Sequence, residues 1–182
     1  MAPILQKLMD EIESQRLTTL ASLQSYTDEQ FNQSPSPGKW SAAEVLSHVI
    51  TAERLSLVYL QKKIQAIDQV PRSGWWEEVK IFVLALSQRI PGIKYKAPKK
   101  VVENTTVLRS LREVETEWAQ VRKDLRTLLD RIPNHQVDRM IYRHVVAGYL
   151  NTRHALIFFR EHLIHHLPQL KRLTLQTLIQ PV

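Results

Sequence analysis

The stretch Val107-Leu108-Arg109-Ser110-Leu111-Arg112-Glu113-Val114-Glu115-Thr116-Glu117-Trp118-Ala119-Gln120-Val121-Arg122-Lys123-Asp124-Leu125-Arg126-Thr127-Leu128-Leu129-Asp130-Arg131-Ile132 is the most regular in the chain. Val107, Leu111, Val114, Trp118, Val121, Leu125, Leu128 and Ile132 alternate steps of four and three without a break. On a helix those steps place every one of them on a single stripe. Such a stripe must be covered by other helices, so it predicts a packing seam in an antiparallel bundle or a coiled coil. Pro133 ends it.

Helical periodicity recurs on both sides of that seam. Upstream, Leu5, Leu8, Ile12, Leu20 and Leu23 predict a first helix from Pro3 to about Tyr26, opened by a proline that needs no N–H partner there. Thr27 to Lys39 holds Pro35, Pro37 and Gly38 and reads as a loop, with one short helical turn at Asp28–Phe31. Ser41-Ala42-Ala43-Glu44 is a capping box that starts a second helix, running to about Ile67 before Pro71. A third helix is predicted from Trp75 to Ile90, stopped by Pro91-Gly92, and Ile93 to Asn104 reads as a long exposed loop. Downstream of the seam, Asn134 to Gly148 is a connection with an extended piece at Met140–Tyr142. The last helix is expected from Tyr149 to Leu178, with Pro168 disturbing it. The fold class is therefore all-α: an up-and-down four-helix bundle with an additional helix.

Composition agrees. The chain has 182 residues, a length that predicts one domain over 1–182, and 43% hydrophobic residues, enough for a core. Only 4 glycines argue against a turn-rich β fold. No signal peptide pattern opens the sequence, and the longest apolar run, Ile81–Leu86, is far short of the ~20 residues a bilayer span requires. A cytoplasmic protein without a membrane partner is the expectation. The excess of 25 Lys+Arg over 18 Asp+Glu permits attraction to phosphates without deciding the fold.

There is no cysteine, which excludes disulfides, thiolate metal sites and a cysteine nucleophile; against this stand 7 histidines. His162 and His166, four apart, share one face of the last helix about ~5–6 Å from each other, close enough to hold one divalent cation. His154 and Phe158 continue the same stripe. Leu163 stands where a zincin would carry its glutamate, so that chemistry is excluded. A third ligand must come from elsewhere, and His48 is the natural candidate, in register with Val45, Ala52 and Leu55.

Gly38-Lys39-Trp40-Ser41-Ala42-Ala43-Glu44-Val45-Leu46-Ser47-His48-Val49 resembles the first motif of the DinB/YfiT superfamily of metal-binding bundles. His162-x-x-x-His166-x-x-Gln169 resembles its second motif. The resemblance implies one divalent metal held by His48, His162 and His166, and a homodimer. Characterised members of that family include thiol-dependent transferases and isomerases, so the expectation is a metal-dependent enzyme on a small-molecule substrate, of the thiol-dependent transferase or isomerase type or of a hydrolase type. Three neutral imidazoles leave an open metal position, where water or a substrate thiolate becomes a nucleophile. With no cysteine in the chain, a thiolate must come from a low-molecular-weight cosubstrate. All-nitrogen ligation suits zinc, nickel, copper or iron.

Glu44, Gln169 and Glu161 are candidates to orient the imidazoles, Glu44 being already committed to the capping box; no general base stands out. Glu53 reads as part of a solvated helix face. Trp75-Trp76 is expected to give one ring to the core and one to an interface, Trp118 to pack on its seam, and Phe158-Phe159 to pack beside the ligands. His135 and His144 have no partner evident in the sequence, and His154 is a candidate extra ligand or pocket residue. The alternative function is a non-catalytic binder that grips nucleic acid or an anionic surface through Lys94, Lys96, Lys99 and Lys100 with Tyr95. No recognised binding motif accompanies these lysines, so a solvated loop is the reading adopted and nucleic acid is not an expected partner.

Overall fold

The computed structural model of the chain describes residues 1–90, 93 and 95–179, with side chains placed through Leu173. Among the described residues there are seven α-helices and one two-stranded hairpin.

The first helix, α1 (Pro3–Ala21), ends earlier than predicted, because the chain tightens into successive turns from Ser22 to Tyr26. Leu23, the last apolar position of the pattern, is nevertheless buried. The short α2 (Asp28–Asn32) is held by a capping box between Thr27 and Gln30. In α3 (Ala42–Lys63), Ser41 Oγ accepts from the Glu44 N–H at 3.2 Å and Glu44 Oε2 accepts from the Ser41 N–H at 2.8 Å. A 3-10 turn over Ile64–Gln69 extends α3, so the predicted end at Ile67 falls inside that turn.

Helix α4 (Trp75–Arg89) has the predicted bounds to within one residue; the stop signal Pro91-Gly92 lies outside the described residues. The expected loop over Ile93–Asn104 is corrected in its second half. There Pro98 accepts the first N–H bonds of α5 (Lys99–Asn104), which packs on α3. The heptad seam becomes α6 (Leu111–Asp130), starting four residues later than the apolar pattern does. Ser110 and Glu113 form a capping box there, while the Leu108 N–H donates to Ser47 Oγ at 2.9 Å and ties the approach to α3.

The extended piece expected at Met140–Tyr142 lies slightly further on. Strands β1 (Tyr142–His144) and β2 (Gly148–Leu150) pair antiparallel, with Arg143 opposite Tyr149. Gly148 closes the hairpin at φ 73°, a left-handed conformation that favours glycine. Tyr149 is thus strand, and the last helix, α7 (Thr152–Ile179), begins after Asn151, whose Oδ1 accepts from the His154 N–H at 2.8 Å. Helix α7 runs through Pro168 without ending.

Helix α1 packs on α6 and α7, α3 packs on α6 and α7, and α4 packs on α7. The seam residues Val114, Trp118, Val121, Leu125 and Leu128 are buried as their spacing requires. Because α3 is covered on two sides, its buried arc is wide enough to take His48 toward α7 and Glu53 toward α6. Glu53 is therefore not solvated, contrary to its sequence reading. It is fully buried, accepting from Trp118 Nε1 at 2.9 Å and from Arg122 Nη2 at 2.8 Å. Burial chiefly raises the Glu53 carboxyl pKa, and the Arg122 guanidinium and the Trp118 hydrogen bond oppose that rise.

Trp75 and Trp76 also depart from expectation. Neither ring is in the core: α4 turns Ile81, Leu84 and Gln88 inward and leaves both tryptophans exposed, edge to face at 5.5 Å. No helix among the described residues is long and apolar enough to cross a membrane.

Candidate metal centre

The capping box fixes the start of α3, which places His48 on its second turn facing α7. Asn151 fixes the start of α7 and so the heights of His162 and His166. The three histidines meet between the two helices. His162 Nε2 lies 3.3 Å from His48 Nε2 and 3.3 Å from His166 Nε2. All three can offer one ring nitrogen within 4.8 Å of the others. His48 and His166 are buried and His162 is partly exposed.

Burial pushes the His48 imidazole down to about 4, helped by repulsion from His165. Burial likewise holds His166 at about 4, against the opposing hydrogen bond to Gln169. His162 is held well below its ordinary value by burial and then by the two neighbouring imidazoles. Near neutral pH all three rings are therefore uncharged, the form that donates a lone pair.

Tautomers follow from the partners. His166 Nδ1 donates to Gln169 Oε1 at 2.6 Å, so its Nε2 carries the lone pair toward the cluster. His162 Nδ1 is buried with no hydrogen-bond partner, and its Nε2 faces two nitrogens at once. A separation of 3.3 Å also matches the edge of a tetrahedron whose centre lies about 2.0–2.1 Å from each nitrogen, the usual zinc–imidazole distance. The donor set therefore fits a divalent cation in both chemistry and spacing.

Aromatic rings wall the cluster. Phe158 stacks on His162 with centroids 5.1 Å apart and planes 18° apart, so it packs beside the histidines as its sequence position suggests. Trp40 lies 5.1 Å from His48 and 6.5 Å from His166, stacked on the latter at 18°, with 40% of its surface exposed. Its role is the one the sequence reading missed. The signal was available in its place immediately before the Ser41 cap, which fixes it one helical entry from His48.

The remaining candidates separate cleanly. Gln169 does orient a triad imidazole. Glu44 is held by Ser41, and Glu161 is paired with Arg89 at 2.5 Å and Arg160 at 2.9 Å, so neither touches the cluster through a described hydrogen bond. His154 Nε2 meets Glu78 Oε1 at 3.0 Å, away from the three, and His165 Nδ1 donates to the Gln88 carbonyl at 3.0 Å. His144 has acquired partners: its Nδ1 accepts from the Val146 and Ala147 N–H groups, each at 3.2 Å. The His135 carbonyl accepts from Arg72.

In the basic segment, Tyr95 packs its ring on His165 at 5.9 Å and donates its hydroxyl to Ser87, while Lys99 pairs with Glu103. The ring and hydroxyl of Tyr95 are thus tied to α7 and α4, although the side chain is 42% exposed. Lys94 lies outside the described residues. Two surface grooves, of about 970 and 530 Å³, run along α1 and α7, and no triad histidine lines either. The site is assigned on its donor chemistry rather than on concavity.

The DinB superfamily matches residues 11–170, nearly the whole chain and both motif regions. The protein belongs to that superfamily. Comparison with curated proteins and with solved structures returns no match.

Proposed function

We propose that this protein is a metal-dependent enzyme acting on small molecules, with His48, His162 and His166 as the ligands of one divalent ion. The observation that carries this reading is the convergence of three neutral ring nitrogens from two helices, two of the spacings being 3.3 Å. The proposed frame is one domain over 1–182, an up-and-down bundle of α1, α3, α6 and α7 with α4 as the additional helix. Zinc, nickel and iron all suit the donor set.

A divalent ion on three imidazoles keeps at least one position open, where it activates water or stabilises a thiolate. The chain's own residues do the rest. Gln169 fixes the tautomer of His166, Phe158 holds the ring of His162, and Trp40 offers an exposed aromatic face beside the cluster. A substrate entering there is desolvated against Trp40 and oriented by its ring. Because the chain has no cysteine, any thiolate nucleophile belongs to a low-molecular-weight thiol that enters with the substrate. The reaction is of the thiol-dependent transferase or isomerase type or of the hydrolase type.

The test is turnover of electrophilic substrates with a panel of low-molecular-weight thiols, in protein loaded with zinc, nickel or iron. Metal-dependent and thiol-dependent turnover that falls by about 100-fold or more in His162→Ala is expected. Turnover equal in wild type and variant would contradict the reading.

A further inference from the structure

The hairpin brings a further imidazole beside the metal centre, and the three-histidine site does not use it. Strand β1 packs against both α3 and α7, the helix pair that carries the triad. Its alternation turns Tyr142 and His144 inward and Arg143 outward. Tyr142 is anchored on α3, its hydroxyl 3.2 Å from Ser56 Oγ, and its ring stacks on Phe158 at 6.5 Å. His144 packs on the same Phe158 ring at 4.5 Å, and that ring stacks on His162 at 5.1 Å. One aromatic side chain therefore bridges His144 to a triad imidazole.

The backbone of the turn fixes the tautomer of His144. Its Nδ1 accepts from the Val146 and Ala147 N–H groups, each at 3.2 Å, and two donors aimed at one nitrogen leave no room for a proton on it. Burial keeps the ring neutral near pH 7, pushing its pKa down to about 4. The single ring proton is then on Nε2. That nitrogen has no hydrogen-bond partner among the described residues, yet it is not shut away from solvent as Nδ1 of His154 and of His162 are. A ring locked in one tautomer, with its one N–H left open, is preorganised to donate to a ligand.

We propose that His144 is a ligand-binding residue, its Nε2–H donating to a carboxylate or carbonyl oxygen on a small molecule whose other end occupies the open metal position. The inference rests on the proposed metal centre and deepens it, by naming what the ligand carries where it meets the hairpin: an acceptor oxygen, and not an ammonium. A role confined to the turn would use Nδ1 alone and leave Nε2 without a task. Thiol and electrophile can each bring that oxygen.

The full chain loaded with cobalt(II) tests the proposal with probes anchored through sulfur. Mercaptopropionate and mercaptohexanoate offer a carboxylate at two reaches, and cysteamine offers an ammonium. The thiolate-to-cobalt absorption band reads binding without turnover. Wild type is expected to prefer at least one mercaptoalkanoate over cysteamine. His144→Asn should lose about 10–100-fold of that affinity and keep its affinity for cysteamine. Asparagine is chosen because its Oδ1 can replace Nδ1 as acceptor of the Val146 and Ala147 N–H groups, so cobalt content should match wild type. An equal loss for all three probes would assign His144 to the turn alone, and no loss for either carboxylate would remove it from the site; each overturns the proposal. A chain that takes up no cobalt overturns the metal centre and this inference with it, whereas cobalt uptake without a carboxylate preference overturns this inference alone. Proton–nitrogen NMR of the metal-free chain adds a readout independent of the ion: the Nε2–H tautomer of His144 is expected, and the Nδ1–H tautomer contradicts the proposal. In turnover, the substrate whose KM rises in His144→Asn is the one that carries the oxygen, and a rise for neither counts against it.

Discussion

At the scale of single residues, the account turns on which side chains hold the imidazoles and which protons they carry. Gln169 fixes the His166 tautomer through one 2.6 Å hydrogen bond. Gln169→Ala is expected to weaken metal binding by about 10–100-fold, as removal of such partners does elsewhere. Isothermal titration with zinc measures it, and an unchanged affinity would remove Gln169 from the site. His144, which packs on Phe158 as His162 does, gives a pH prediction outside the triad. Burial holds its imidazole at about 4, below the ordinary 6.5. Between those values the unfolded chain binds more protons than the folded one, so stability is full above pH 6.5 and declines as pH falls to about 4. The fall attributable to His144 is about 3 kcal/mol at most. His144→Phe should flatten the pH dependence of urea unfolding over that window, whatever it does to absolute stability. The sequence could show that His48, His162 and His166 share inward faces, because helical spacing is local. It could not show the partners of His144, which depend on a hairpin turn, nor the stacking of Trp40, which depends on how α3 meets α7.

At the scale of elements, α3 and α6 are joined by a buried charge pair. Glu53, Arg122 and the Trp118 indole form a network inside an otherwise apolar seam. Glu53→Leu would leave Arg122 buried without its carboxylate and is expected to cost about 3–5 kcal/mol of stability. Glu53→Leu/Arg122→Met should recover at least half of that loss, since both charges then leave together. Chemical denaturation of the two variants measures the difference, and a double variant no more stable than the single would refute the network. Spacing made the seam legible, and the Ser41–Glu44 box made the start of α3 legible, since both are encoded within one or two turns. Glu53 was misread because a carboxylate's position on a helix says nothing about a guanidinium arriving from another helix. The bounds of α6 and α7 shifted for a related reason. Ser110 and Asn151 cap those helices, and their neighbours Leu108 and Tyr149 spend their backbone on α3 and β1 instead.

At the scale of the whole molecule, a wide buried arc on α3 carries Glu53, ion-paired toward α6, and His48, which meets His162 and His166 of α7. The exposed stripe of α4 lies on the side of that helix opposite Ile81 and Leu84, which face the core. The fold class was legible from periodicity, and membership of the DinB superfamily agrees with both motifs. The outward stripe on α4 was hidden because an apolar helix looks the same in sequence whether its partner is the core or another molecule. The central claim is that His48, His162 and His166 hold one divalent ion, and equilibrium dialysis against zinc followed by elemental analysis tests it most directly. Wild type should retain about one ion per chain, and His48→Ala and His162→Ala should each retain little. Wild type without bound metal, or variants that bind as much as wild type, would contradict the account.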